Sequence, residues 1–311
     1  MESIIPEKYN NNNENKIIAL SLNELLCINL PPREYLLCPW LPKAGICMVY
    51  AKRGVGKTFF ALEVAMAIAC GANYLSFQAL SPAKVLYIDG EMPANTMQLR
   101  LKEIEKRIKP SASMIQPFFI TPDLQPDFMP NLSTLEGQHL IQQYVDAADL
   151  IIVDNLSTLG GSGRENEAES WITFQRWALF LRKRGKSVLF IHHAGKNGNQ
   201  RGTSKREDIL DTVIRLQHPA NYNPSMGACF ELHFEKTRNI FGENTKPMLC
   251  KLTETGWTYE PLKNDHFQEV IKLFNDGYSQ SEIAEILKIS KGYVSKLVQR
   301  GQLEGYINIK N

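Results

Sequence analysis

Eight consecutive residues, Ala51-Lys52-Arg53-Gly54-Val55-Gly56-Lys57-Thr58, combine small, cationic and hydroxylic side chains in an order suited to gripping a polyanion. Glycines let the backbone curl until several N–H groups point at one anion, and a helix starting where the run ends adds its dipole. The apolar run Ile46-Cys47-Met48-Val49-Tyr50 precedes the segment, and Phe59 to Ala69, apolar except for Glu63, follows it. Strand, loop and helix in that order distinguish a phosphate-binding loop from a chance match. Residues 51 to 59, Phe59 included, therefore predict a site for ATP. Lys57 is expected to reach the β- and γ-phosphates, and the Thr58 hydroxyl to ligate Mg²⁺. Ala51 stands where the motif ordinarily begins with glycine, so a slight adjustment of the turn is expected there.

In open α/β sheets, ligands bind beyond the carboxyl ends of the strands. Three further strand-like runs end in residues able to act on such a ligand: Val85-Leu86-Tyr87-Ile88-Asp89 before Gly90-Glu91, Leu150-Ile151-Ile152-Val153-Asp154 before Asn155, and Ser187-Val188-Leu189-Phe190-Ile191 before His192-His193. Asp154 after four apolar residues is a Walker B pattern, expected to hold Mg²⁺ together with Thr58. Glu91, a second carboxylate off the metal position, is the candidate for polarising the attacking water, with capping of the following helix as its alternative role. Asp89, one residue deeper, is read as structural. His192 or His193 is expected to hydrogen-bond the γ-phosphate; a purely structural histidine pair is the alternative.

The elements that must position these groups alternate along the chain. Helical periodicity over 96–108, 135–147 and 166–184 separates the apolar strands, with a short strand at 118–120, which predicts an α/β fold: a mainly parallel sheet flanked by helices. After residue 209 the pattern changes to strands at 211–217, 228–236 and 247–253, read as an extension of the same sheet, and 256–264 reads as a linker. The expected domains are a flexible N-terminal segment at 1–34, whose first 18 residues are polar and asparagine-rich, an ATPase domain at 35–260 and a small helical domain at 261–311.

The 311 residues carry a net charge of +2, so any nucleic-acid surface must be local. The six cysteines are scattered without a Cys-x-x-Cys pair, and several sit inside apolar runs, which reads as buried free thiols in a reducing cytosol. No signal or membrane-spanning pattern is visible, which predicts a soluble cytoplasmic protein with no membrane partner.

Taken together, the phosphate loop, Leu86-Tyr87-Ile88-Asp89-Gly90-Glu91, Ile151-Ile152-Val153-Asp154-Asn155-Leu156, and His192-His193-Ala194-Gly195-Lys196 followed by Arg201-Gly202-Thr203-Ser204 resemble the RecA-like hexameric helicases of the plasmid RepA type, related to DnaB. The resemblance covers about residues 35–260. It implies that the glutamate after the second strand activates water and that a histidine senses the γ-phosphate. It also implies a homo-oligomer, most simply a hexamer, with single-stranded DNA in its pore, contacted by the segment from Lys196 to Glu207. Lys236-Thr237-Arg238-Asn239 looks like the Lys-x-Arg element that lends a cation to the neighbouring subunit's ATP site; Arg201 is the rival finger, and cations on a solvated face are the alternative.

From residue 265 the sequence reads as three helices, about 265–275, 279–287 and 292–298, the second opened by a Ser279 N-cap. Ile283, Ala284, Leu287, Ile289, Val294 and Leu297 fall at the spacing that packs such helices together. The pattern resembles the helix-turn-helix of DNA-binding regulators. The third helix would enter the major groove of duplex DNA, with Lys291, Tyr293, Ser295, Lys296 and Arg300 facing it. RepA-type helicases need not carry such a domain, which leaves an ATP-gated DNA-binding regulator, or a recombination or repair ATPase, as alternatives to a replicative helicase.

Overall fold

The computed structural model describes residues 18–108, 113–160, 166–195, 208–219, 221–262, 266–303 and 305–307, with the backbone alone for 166–169 and 268. The chain divides into two compact units, Met1–Glu34 and Tyr35–Asn311. In the first, helix α1 (Leu22–Cys27) is opened by a capping box: Ser21 accepts from the Glu24 amide, and the Glu24 carboxylate accepts from the Ser21 amide.

The second unit opens with β1 (Tyr35–Leu37), β2 (Leu41–Pro42), β3 (Ile46–Ala51), α2 (Lys57–Cys70), β4 (Asn73–Tyr74) and β5 (Phe77–Gln78). Then come β6 (Val85–Asp89), α3 (Ala94–Arg107), β7 (Phe118–Ile120), α4 (Leu135–Leu140), α5 (Gln142–Ala147), β8 (Leu150–Asp154), α6 (Leu156–Leu159), α7 (Asn166–Lys183) and β9 (Ser187–His193). Strands β10 (Thr212–Gln217), β11 (Cys229–Thr237), β12 (Met248–Thr253) and β13 (Gly256–Pro261) precede α8 (Phe267–Asn275), α9 (Gln280–Leu287) and α10 (Lys291–Leu303).

Nine strands form one sheet in the order β13-β12-β11-β10-β3-β9-β8-β6-β7. Pairing is parallel from β10 to β7 and antiparallel from β10 to β13. Every residue of β3, β6, β8 and β9 is buried, as expected of parallel strands covered on both faces. The strand period of two then sorts side chains between two cores. Cys47, Val49, Tyr87, Ile152, Leu189 and Ile191 pack with α2 and α3, while Met48, Ile88, Ile151, Val153, Val188 and Phe190 pack with the helices α5 to α7. Helix α2 lies buried on nearly all sides, so its one carboxylate must be paired. Glu63 accepts from Arg107 at 2.5 Å and from the Trp257 indole at 2.7 Å.

Four expectations need correction. Residues 256–261 are not linker but strand β13, paired along its length with β12. Trp257 decides this: its ring packs on Tyr74 and Phe230 while its N–H meets Glu63, an anchor stronger than the Gly and Pro signals at the ends. The helix expected over 135–147 is two helices, broken at Ile141 (φ −104°, ψ 5°), whose side chain turns into the core. Strand β9 continues through both histidines, and α10 runs to Leu303 rather than ending at 298.

The three C-terminal helices enclose their own apolar cluster of Phe267, Val270, Ile271, Ile283, Val294, Leu297, Val298 and Ile307, with Ala284, Leu287 and Ile289 against it. Ser279 caps α9 in a capping box with Glu282, and Lys288 ends that helix in the left-handed conformation.

Candidate active site

A crevice of about 340 Å³ opens where β3, β6, β8 and β9 end. From the loop after β3 it is lined by Arg53, Gly54, Gly56, Lys57, Thr58 and Phe59, and from the other strand ends and α3 by Glu91, Arg100, Asp154, Asn155 and His193. The three strand ends singled out in the sequence thus meet the phosphate loop. Gly54 and Gly56 take φ of +82° and +118°, which side chains resist, and a Cβ on Gly54 would meet nothing within 4 Å, so the loop presents bare backbone to the crevice. Ala51 is the last residue of β3, outside the left-handed region, so alanine there requires no distortion. Ala51 and Val55 are buried, and Lys52 is exposed but does not line the crevice; these three frame the loop and do not face the cavity.

Lys57 is only 6% exposed, with Nζ donating to the carbonyls of Ala51 and Lys52 at 3.3 and 3.2 Å. Burial lowers its pKa, opposed by the charges of Asp154 and Glu91. Asp154 is buried too, and burial raises its carboxyl to about 6 despite hydrogen bonds from Tyr87 and Thr58. The Tyr87 hydroxyl donates to Asp154 Oδ2 at 2.7 Å. Asp89 and Asp154 are register partners across β6 and β8, so two buried carboxylates stand side by side. Thr58, hydrogen-bonded to Asp154, and Asp154 itself bring hard oxygen donors together, a donor set that fits Mg²⁺.

Asp89 shapes the turn after β6. Its Oδ1 accepts from the backbone amides of Glu91 at 2.7 Å and Met92 at 2.8 Å, bending the chain so that Glu91 faces the crevice. Burial raises its carboxyl above the usual range, opposed by those two amides. The Glu91 side chain is half exposed, with Oε2 2.7 Å from Asn155 Nδ2 and 3.7 Å from His193 Nε2.

The two histidines are separated by the alternation of β9. His193 falls on the α2 face and lines the crevice; His192, in register with Tyr50, falls on the other face and does not. Sequence reasoning missed two lining residues, Asn155 and Arg100. Arg100 projects from α3 with its guanidinium 4.2 Å from the centre of the Phe59 ring.

Lys236 and Arg238 stand apart from this crevice. In the sheet register Leu216 is level with Ala51, whereas Thr212 is level with Cys47 and with Thr237. At about 3.3 Å per residue, the four steps from Thr212 to Leu216 put Thr237 about 13 Å from the nucleotide end. The Arg238 guanidinium donates to the Asp208 carbonyl and its amide to the Asp211 carbonyl. Arg201, and the segment Lys196 to Glu207 that contains it, lie outside the described residues.

Of the residues expected to face DNA, Lys291, Tyr293 and Lys296 are exposed and Ser295 is half-buried. Arg300 departs from the expectation. Its guanidinium lies 4.3 Å from the centre of the Phe267 ring, against the module's own core, and its charge helps lower the pKa of Glu231 on β11. Among the described residues no helix is long and apolar enough to cross a membrane.

A family model described as AAA domain matches residues 12–199. A KaiC-like protein of the hyperthermophilic archaeon Pyrococcus horikoshii OT3 superposes with a TM-score of 0.50 at 16% identity, covering 71% of this chain and 91% of that one. Flagellar accessory protein FlaH of Methanocaldococcus jannaschii superposes with a TM-score of 0.49 at 13% identity, covering 70% and 90%. The family match spans more than half the chain, and the fold carries the phosphate loop, the acidic strand ends and the mainly parallel sheet in one arrangement: the chain belongs to the AAA domain family and is a RecA-like P-loop ATPase.

Proposed function

We propose that the protein is a Mg²⁺-dependent ATPase acting on DNA, a ring-forming helicase of the RepA type serving a plasmid or other mobile element. Lys57 and the loop amides hold the triphosphate, and His193 faces the position of the γ-phosphate. Glu91 takes a proton from water as its oxygen bonds to the γ-phosphorus and the bond to the bridging oxygen breaks, releasing ADP. Mg²⁺ held by Thr58 and Asp154 supplies charge neutralisation of the phosphates.

One observation carries the oligomeric part of this reading. The nucleotide crevice and the Lys236–Arg238 pair occupy opposite ends of the same sheet, farther apart than an arginine side chain spans. If these cations serve an ATP site, it is a neighbour's, which requires head-to-tail assembly into a ring or filament. The test is steady-state ATP hydrolysis at increasing protein concentration, with and without single-stranded DNA, followed by strand displacement on a forked duplex. Stimulation by the strand, specific activity that rises with concentration, and inactive Arg238→Ala subunits that poison wild-type ones in mixtures are the expected results. A monomer hydrolysing ATP at full rate would end the proposal.

A second reading is favoured by the C-terminal helices, whose exposed Lys291, Tyr293 and Lys296 share the first half of α10. In an ATP-gated DNA-binding regulator these residues select a duplex site and the nucleotide controls assembly. Tight, sequence-selective duplex binding without strand displacement would support that reading over the helicase.

A further inference from the structure

We propose that Asn155 is a positioning residue for Glu91: its amide group ties the water-activating carboxylate to the start of α6. The proposal rests on the reading of Glu91 given above. Asn155 is 1% exposed and sits immediately after Asp154, at the N-cap of α6. Its Oδ1 accepts from the backbone amides of Ser157 at 2.9 Å and Thr158 at 3.3 Å. Those two bonds fix which way the amide points, because only the oxygen can accept from backbone N–H groups. Nδ2 is thereby forced toward the crevice, where it donates to Glu91 Oε2 at 2.7 Å. The orientation thus follows from the cap, and the donor at Glu91 is a consequence of it.

The surroundings make this a constraint rather than an incidental contact. Gly90, the residue before Glu91, lies directly against α6: a Cβ there would come 2.3 Å from Thr158 Oγ1 and 2.9 Å from Leu159 Cγ. The Gly90 amide donates to the Asp154 carbonyl at 2.7 Å, and the amides of Glu91 and Met92 are fastened to Asp89. Backbone and side chain of Glu91 are therefore both referenced to the end of β8 and the start of α6. A carboxylate that accepts one bond through Oε2 keeps Oε1 for water, and its long side chain loses rotamer freedom before substrate arrives. Ionisable groups around Glu91 include His193 from β9, Lys57 from α2 and Asp89 from β6. Among these neighbours the neutral Asn155 amide gives direction without adding charge.

Asn155→Asp keeps the oxygen that caps α6 but turns an acceptor on Glu91. Steady-state ATP hydrolysis is compared for wild type, Asn155→Asp, Asn155→Ser, Glu91→Gln and the Asn155→Asp/Glu91→Gln double variant, with melting temperature and the Kd of a non-hydrolysable ATP analogue measured on each. Misplacing a general base by about an ångström costs about a hundredfold. Asn155→Asp should therefore lower kcat by about 30- to 100-fold with KM and analogue Kd within about twofold. Asn155→Ser retains a capping oxygen but not the reach to Glu91, so it should lower kcat comparably, again with analogue Kd within about twofold. In the Glu91→Gln background, Asn155→Asp should cost less than about twofold, since the new amide can donate to the new carboxylate. Wild-type kcat in Asn155→Asp and Asn155→Ser alongside a slow Glu91→Gln would overturn the proposal. Equal fold losses from Asn155→Asp in both backgrounds would do the same. Wild-type turnover in Glu91→Gln would instead remove the role of Glu91 itself.

Discussion

Removing one buried hydroxyl that supports the crevice from the core gives the sharpest test of its electrostatics. Tyr87 donates to Asp154 Oδ2 at 2.7 Å, and Asp154 is raised by burial to about 6 even with that donor in place. A hydrogen bond to a charged acceptor is worth about 1.5–3 kcal/mol, which corresponds to about 1–2 pK units of preference for the charged form. Tyr87→Phe removes the donor, keeps the ring, and should carry Asp154 to about 7–8. The assay is the pH dependence of kcat/KM for ATP at fixed Mg²⁺, which reports groups of the free enzyme. The wild-type acid limb should fall near pH 6 and the variant's about 1–2 units higher. Stability moves with a definite sign. A carboxyl raised in the folded state contributes stability that is fully present below its unfolded pKa near 4 and is lost as pH rises through about 6. In the variant that loss continues to higher pH, so the melting-temperature gap between the two proteins should be small at pH 5 and widest at pH 8. Superimposable acid limbs, or a stability gap independent of pH, would refute the assignment of Asp154 as the titrating group.

Arg107→Ala strips the partner from Glu63, whose side chain is 2% exposed. Breaking such a pair costs about 3–5 kcal/mol, and the Trp257 indole still donates to Glu63, so a loss of about 3 kcal/mol is expected from urea unfolding. Gly137→Ala would place a Cβ 1.9 Å from the Asn131 carbonyl oxygen, a clash with backbone that no side-chain rotation relieves; a loss above about 2 kcal/mol is expected, and a melt within a degree of wild type would contradict the packing of α4. Arg100→Ala should raise KM for ATP by about 3- to 10-fold while the fold is retained, since the guanidinium lines the crevice from α3 without closing a core contact. An unchanged KM would move Arg100 out of the binding machinery.

The phosphate loop was legible because its chemistry demands residue types at fixed spacing within one short run. The acidic strand ends were legible because a carboxylate closing a buried apolar strand is costly unless donors or a cation receive it. The choice between His192 and His193 was not. It depends on the face each residue takes, which is decided only by β9 extending through both. Asn155 and Arg100 escaped notice because their partners are remote in sequence or in element: Asn155 reaches back 64 residues to Glu91, and Arg100 meets Phe59 across two helices. Strand β13 was missed for the same reason, its anchor being the bond from Trp257 to Glu63, 194 residues away. Local signals found the three C-terminal helices and the Ser279 cap, though they ended the last helix at 298 where α10 runs to Leu303. They assigned Arg300 outward, where periodicity alone cannot reveal that a guanidinium has an aromatic ring to lie on.

Burial puts the crevice under electrostatic tension. Burial pushes Lys57 down and Asp154 up, so each disfavours its own charge, while Asp89 adds a second buried carboxylate beside the first. Pairing Lys57 directly with Asp154 would remove the tension, yet the ammonium instead donates to the carbonyls of Ala51 and Lys52. The consequence is that neither group is committed before binding. A polyphosphate adds anionic charge for Lys57 beyond that of Asp154 and Glu91, and its metal a cation for Asp154 beyond Lys57, so the two should bind cooperatively. The tension also accounts for Asn155. In a site already short of charge balance, a neutral amide orients Glu91 where a lysine or arginine would hold it as a salt bridge and lower its basicity.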